Sequence, residues 1–233
     1  MNKELFLSEL NKRDIVCDEI QYSQLMSLMS ETLEANSHFN LTSIIDESEF
    51  MEKMLFDSAL GFYGIDVTDK KILDLGTGGG FPGMVLYILN PEGEFTLLDS
   101  TKKKIDYLKE LCEKNKYPVN CINDRAENYA KNHLEEFDYV TTRAVSQLPI
   151  LLELAIPMLK VGGTLIAYKG PEVYEEIENA QSALSKLGCK IERIYSDELP
   201  DSHSKRYILY ILKLKKTPKK YPRDYSEIKK LPL

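Results

Sequence analysis

The sequence is poor in the residues that build metal centres and nucleophilic triads. Its 233 residues include four cysteines and three histidines. Cys17, Cys112, Cys121 and Cys189 are widely scattered, form no CxxC pair and have no histidine at zinc-ligand spacing. That pattern predicts a reduced, cytoplasmic chain with neither a disulfide framework nor a metal site. His38, His133 and His203 are equally dispersed and read as surface or structural residues, so no Ser/His/Asp or Cys/His arrangement emerges. Long apolar runs are missing too. The two longest, Leu148 to Leu159 and Tyr207 to Leu212, are too short for a bilayer, and Glu153 and Pro157 interrupt the first. The opening MNKELFLSEL alternates polar and apolar residues and lacks the continuous apolar stretch of a secretory signal. Asn40-Leu41-Thr42, formally a glycosylation sequon, is therefore not read as one.

Net positive charge is absent as well. Lys plus Arg number 30 against 37 Asp plus Glu, for a net charge of −7, so the total does not mark a nucleic-acid binder. The total hides a split. From Lys205 to Leu233 ten basic residues face two acidic ones, which makes that segment +8 and leaves −15 on residues 1 to 204. At 43% hydrophobic residues the chain can bury a sizeable core without disulfide or metal staples.

Residues 1–63 read as a helical extension. Tyr22, Leu25, Met26, Met29 and Leu33 recur at three- and four-residue spacing. A second helix starts at Asp46, where Asp46 and Glu49 have the form of a capping box, and Phe50, Met54, Leu55, Ser58 and Phe62 follow on one side. From residue 64 onward, short β-rich runs alternate with helical stretches, which predicts a parallel sheet covered on both faces. Strands are expected at Lys71–Leu75, Phe95–Asp99, Val119–Asn123, Tyr139–Thr142, Thr164–Lys169, Lys190–Tyr195 and Tyr207–Leu214. Helices are expected near Gly83–Leu89, Lys102–Asn115, Ala126–His133, Ile150–Leu159 and Glu172–Leu187. Only about ten residues separate the last two strands, so the final one is expected to return antiparallel. No repeat or low-complexity linker is present, so the extension should pack on the 64–233 domain.

The most informative segment is KKILDLGTGGGFPG, Lys70 to Gly83. A strand ends at Asp74, and Gly76, Gly78 and Gly80 precede a helix, a turn whose missing side chains let a ligand lie on the backbone. Asp99 closes the next strand, well placed for a ribose diol. Together these features predict a site for an adenosine-containing cofactor. Gly78, Gly80 and Gly83 satisfy GxGxxG, a weak motif alone. Two features count against a nicotinamide dinucleotide: an acid, Asp74, precedes the glycines, and no second domain follows to hold a hydride acceptor.

The form D-x-G-x-G-x-G with an acidic second strand end resembles motif I of class I S-adenosylmethionine methyltransferases, whose reversed seventh strand matches the ending read above. Asn40-Leu41-Thr42, Asp57-Ser58, DLGTGGGFPG, LLDS (Leu97–Ser100), RAE (Arg125–Glu127), TRAV (Thr142–Val145), KG (Lys169-Gly170) and the closing TPKKYPR…IKK-LPL narrow the resemblance. Their order is similar to that in the ribosomal RNA small subunit methyltransferase G family, also called glucose-inhibited division protein B, from about residue 36 to the C-terminus. That resemblance implies a seven-stranded Rossmann-like methyltransferase fold with its last strand antiparallel. It also implies methyl transfer from S-adenosylmethionine to N7 of a guanine in the decoding region of 16S rRNA, with rRNA or the small ribosomal subunit as partner.

By matching motif, the resemblance implies cofactor contacts at Gly76, Phe81, Asp99, Ser100, Ala126, Glu127 and Arg143, with Gly78 and Gly80 in the same turn. Asp74 either touches the cofactor or only bonds turn amides. Arg143, Arg125 and Lys169 stand at carboxyl ends of strands and are the candidates for positioning and electrostatic roles, with surface charge as the plain alternative for the last two. Met54 stands where many members carry histidine, so no imidazole role transfers to it; Gly79, Ser146 and Tyr168 are mild departures. Lys213, Lys215, Lys216, Lys219, Lys220 and Arg223, with Tyr221 and Tyr225, are the expected RNA-binding segment. Its loss should weaken RNA binding and leave cofactor affinity little changed. Lys102, Lys103 and Lys104 read as a solvated first helical turn. A monomer is the default expectation. The alternatives are a methyltransferase for another RNA or small molecule, a non-catalytic cofactor- and RNA-binding module and, more remotely, an NAD enzyme.

Overall fold

Asp18 opens the first long element. Its side chain accepts the Gln21 N–H while the Gln21 side chain accepts the Asp18 N–H, a reciprocal cap that starts α2 (Glu19–Phe39) after the short α1 (Lys3–Asn11). The computed structural model describes residues 1–233. The predicted apolar face of α2 is buried at Leu25 and Met29, and Leu28 and Thr32 join it. Gln21 also donates to the carbonyls of Ile88 and Leu89, and Thr32 Oγ1 lies 2.9 Å from the Tyr107 hydroxyl, so the extension is bonded to the domain that follows.

Asp46 caps α3 (Glu47–Phe50) through the Glu49 N–H. The helix widens to a π-helical turn over Met51–Phe56 before α4 (Asp57–Ala59) and a 3₁₀ turn at Leu60–Phe62. Sequence periodicity predicts one regular helix here. The Asp57 N–H instead reaches back five residues to the Glu52 carbonyl, an irregularity frequent at functional sites.

The α/β unit comprises β1 (Lys71–Leu75), α5 (Gly83–Leu89), β2 (Glu94–Asp99), α6 (Lys102–Asn115), β3 (Asn120–Asn123), α7 (Ala126–Asn132) and β4 (Phe137–Arg143). It continues through α8 (Leu148–Ala155), β5 (Leu159–Lys169), α9 (Val173–Asn179), α10 (Gln181–Leu187), β6 (Cys189–Glu198), β7 (Lys205–Lys213) and α11 (Tyr225–Lys230). The sheet order is β3-β2-β1-β4-β5-β7-β6. β1 to β5 pair in parallel, and β7 runs antiparallel between β5 and β6, as the short last connection requires. Alternation along β1 sends Ile72 into the apolar layer shared with the N-terminal helices, α5 and α6, and Leu73 and Leu75 into the layer under α7, α8 and α10. No helix is long and apolar enough to cross a membrane.

Three boundaries differ most from expectation. Helix α8 stops at Ala155 and a 3₁₀ turn follows at Ile156–Met158, because Pro157 cannot continue the α-helical ladder. β5 begins five residues early at Leu159, carrying Gly162 at φ +88° beside an irregular register with β4. The long helix expected after Glu172 is two helices meeting at Ala180.

Candidate methyl-transfer site

β1 has β2 on one side and β4 on the other, so ligands meet the carboxyl ends of these strands where the chain changes direction across the sheet. A cavity of about 480 Å³ opens there, of small-molecule size. The glycine turn forms its inner wall. Gly76, at φ +70°, brings β1 against Val145, whose Cγ2 would lie 2.4 Å from any added Cβ. Gly78, at φ +58°, presents bare backbone, since a Cβ would meet nothing closer than Lys104 Nζ at 3.9 Å. The Gly78 N–H donates to Asp99 Oδ2 at 3.0 Å and the Thr101 N–H to Oδ1 at 2.8 Å. The turn therefore orients the second strand's acid while leaving each oxygen a free lone pair.

Of the predicted cofactor contacts, Gly76, Gly78, Phe81, Asp99, Ser100, Ala126, Glu127 and Arg143 all line this cavity. Two do not. Asp74 is fully buried beneath the turn, accepting the Gly83 N–H at 2.9 Å and the Thr141 hydroxyl at 3.1 Å. Burial pushes its carboxyl up to about 6 against the pull of these donors. Its role is to bolt β1 to β4 and to the start of α5. Gly80 is likewise a packing residue: at φ +100°, an added Cβ would collide with Leu108 and Met84.

Arg143 ends β4 and forms the partition between this cavity and a second one of about 470 Å³, which shares Arg143, Ala144, Val145 and Ser146. Ala144 lies in the left-handed region at φ 56°, a strained conformation for a residue with a Cβ. The Arg143 guanidinium donates to the Lys53 carbonyl and the Ser58 hydroxyl, each at 3.1 Å, and reaches Asp57 Oδ2 at 3.5 Å. Its Nη2 lies 3.4 Å from the Met54 sulfur, a weak acceptor. The wide π-helical turn leaves the Lys53 carbonyl to take the guanidinium. Asp57 also binds Arg206 Nε at 3.2 Å. Burial pushes the Asp57 carboxyl up, and the two arginines pull it back.

The second cavity carries three cations, Arg143, Lys169 and Arg206, with two carboxylates, Asp57 and Glu176. Lys169 is spent on the Ser146 carbonyl at 3.0 Å and Glu176 Oε2 at 2.6 Å, so it braces the loop after β4. Arg125 does not reach this cavity. It lies at the outer edge of the first, holding Glu127 at 2.6 Å, and Glu127 is the buried partner. The electrostatic trio read from strand ends therefore separates, and only Arg143 touches both cavities. Tyr168 is buried and donates to the Ser58 carbonyl, in space that Gly61 leaves clear.

The basic segment also divides. Lys213 is fully buried, donating to the Leu159 carbonyl at 2.7 Å with Glu135 at 3.6 Å, and burial pushes its ammonium below the ordinary lysine range. Arg223 forms a two-pronged pair with Glu153, at 2.8 and 2.6 Å. Neither is free for a phosphate. Lys215, Lys216, Lys219 and Lys220 are exposed. Sequence reasoning missed Lys104, which lines the first cavity rather than joining Lys102 and Lys103 in solvent, and also missed Asp57, Arg206 and Tyr225 as cavity residues. The Asp57-Ser58 motif was the one signal for the first of these.

An open sheet of this order, with a glycine turn after β1, an acid closing β2 and a reversed seventh strand, defines the fold of the S-adenosylmethionine-dependent methyltransferases. Solved structures share it, two of which serve as examples. One is a SAM-dependent methyltransferase from Aquifex aeolicus, with a TM-score of 0.56 and 19% identity over 75% of this chain and 97% of that one. The other is an O-methyltransferase from Bacillus cereus in complex with SAH, with a TM-score of 0.57 and 17% identity over 80% and 91%. The chain belongs to the rRNA small subunit methyltransferase G (GidB) family, whose model matches residues 21–204. Ribosomal RNA small subunit methyltransferase G of Bacillus cytotoxicus is 40% identical over 100% of this chain and 99% of its own length. That of Lactobacillus delbrueckii subsp. bulgaricus is 38% identical over the whole of both.

Proposed function

We infer that this chain transfers a methyl group from S-adenosylmethionine to N7 of a guanine in the decoding region of 16S rRNA, acting as a cytoplasmic monomer on the RNA or the small ribosomal subunit. The observation that carries the reading is the pair of adjoining cavities partitioned by Arg143, in a chain of this family.

The first cavity fits the cofactor. Asp99 keeps acceptor capacity for a ribose diol, Gly78 leaves the backbone bare, and the buried Ser146 Oγ is unpartnered at the junction of the two cavities. Asp99 and Ser100 would hold the ribose edge, Ala126 and Glu127 the adenine, Gly76 and Phe81 the path between, and Arg143 the amino-acid carboxylate or a substrate phosphate. When bound, the cofactor supplies an electrophilic sulfonium methyl.

N7 of neutral guanine already carries a lone pair, so the protein needs no general base. Its task is to hold donor and acceptor in line, a positioning effect that contributes several kcal/mol. Arg143 suits that task because its fork is fixed from behind by the Lys53 carbonyl, Ser58 and Asp57. Exposed Lys215, Lys216, Lys219 and Lys220 add phosphate partners along the C-terminal segment.

Mass spectrometry of small-subunit RNA tests the reading. Deletion of the gene should remove N7-methylguanine from the decoding region, and the intact gene should restore it. Methylation unchanged by the deletion would overturn the proposal.

A further inference from the structure

After β7 the chain does not trail into solvent. It crosses the layer under α8, burying Tyr221 and Ile228 there, and returns to the mouth of the first cavity as α11. The anchor is Glu153, the single charge in the apolar run of α8. It is fully buried and takes the Arg223 guanidinium through both oxygens, with the Arg223 N–H a third donor at 2.9 Å. Removing one member of such a buried pair leaves the other charge uncompensated, so the pairing holds the segment in register. Two residues beyond Arg223, Tyr225 lines the cavity beside Arg125, Ala126, Glu127 and Leu154. Its ring centroid lies 4.7 Å from the Arg125 guanidinium carbon, and Arg125 is itself held by Glu127.

We propose that residues 218–228 form a strap of the cofactor site, in which Tyr225, pinned by the Arg223–Glu153 pair, is the outer wall against the purine of the adenosyl cofactor. This rests on the cofactor reading given above. It reverses the expectation that Tyr225 and Arg223 serve RNA and that the segment is indifferent to the cofactor. The chemistry agrees with the position: an aromatic face offers a purine sequence-independent stacking, and Arg125 on the ring adds a cation–π contact that keeps it oriented. Tyr225 is half-buried, so removing its ring does not open the core.

Calorimetric titration of the full chain with S-adenosylhomocysteine and with adenosine tests the assignment. Tyr225→Ala should weaken both ligands by about tenfold, Tyr225→Phe should bind both as the unaltered chain does, and all three proteins should melt together. Affinity for 16S RNA and its salt dependence should be the same in Tyr225→Ala. Tyr225→Leu, which keeps apolar bulk without a π face, should fall between. Equal S-adenosylhomocysteine affinity in the unaltered chain and Tyr225→Ala overturns the strap alone. Normal cofactor binding with lost RNA affinity also overturns it and returns the ring to RNA. An unaltered chain that binds neither ligand overturns the cofactor reading itself, and the strap with it.

Discussion

A buried carboxylate lies beneath each of the two cavities, and the two are satisfied by opposite means. Asp74, under the first, receives only neutral donors: the Gly83 N–H and the Thr141 hydroxyl. Asp57, under the second, receives two guanidinium groups, Arg143 and Arg206. The contrast separates a neutral scaffold from a charged floor. Asp74 fixes a turn whose ligand-facing surface is backbone, so its charge is a cost borne for geometry. Asp57 fixes two side chains that line the second cavity, so its charge is what keeps two cations at fixed positions there.

The largest effect should come from the second floor. Asp57→Ala leaves Arg143 and Arg206 without their shared counter-charge, and breaking a buried pair in this way costs about 3–5 kcal/mol. Denaturant unfolding should register that loss. Asp57→Asn, which keeps an acceptor for one arginine, should lose less. In the Asn variant, turnover should fall more than S-adenosylhomocysteine affinity, because Asp57 itself lines only the second cavity and Arg143 keeps the Lys53 carbonyl and the Ser58 hydroxyl. Equal stability of Asp57→Ala and the unaltered chain would erase the distinction between the two floors.

The distinction also explains which parts of the site the sequence disclosed. The glycine turn, Asp74 and Asp99 are legible because a strand end, a tight turn and the next strand end are local features with a fixed spacing and a backbone rationale. The parallel sheet and its reversed last strand follow from alternating strands and helices plus one short final connection. Asp57 with Arg206, and Glu153 with Arg223, bridge 149 and 70 positions, and no periodicity links residues so far apart. Glu153 was visible only as an interruption of an apolar run, yet that interruption is the anchor of the C-terminal strap. Charge counting over residues 205–233 likewise could not distinguish Lys213, whose ammonium is buried against a carbonyl, from Lys219, which is exposed. Composition records charge and is silent on burial.

The first floor should show itself in pH dependence. The Asp74 carboxyl sits at about 6 in the folded chain against an ordinary 3.8. The folded state therefore keeps its proton to higher pH than the unfolded one. Stability contributed at this position falls as pH rises from about 4 to about 6 and is level above that, by on the order of 3 kcal/mol. Asn keeps an acceptor for the Gly83 N–H and a donor for Thr141, so Asp74→Asn should fold and lack this slope. Melting temperatures of the two proteins from pH 4 to 7 provide the check. The difference should grow in favour of Asp74→Asn as pH rises, whereas parallel curves would refute a buried, desolvated charge there.

The smallest effect should lie outside both cavities, among the lysines that remain free. Lys216, Lys219 and Lys220 are exposed, and Lys216 has only a distant partner in Glu135 at 3.9 Å. Each phosphate a lysine neutralises releases counterions and adds roughly 0.7–0.9 to the slope of log affinity against log salt. Replacing all three by Ala should therefore reduce the salt slope for 16S RNA by about 2, with S-adenosylhomocysteine affinity and melting temperature unaltered. Replacing Lys213 should do the reverse, lowering stability because its Nζ and its stem are buried. A salt slope unchanged in the triple variant would mean that RNA is met by the cleft arginines rather than by the C-terminal segment, and the positive charge of residues 205–233 would then serve chiefly to hold β7 and the strap in place.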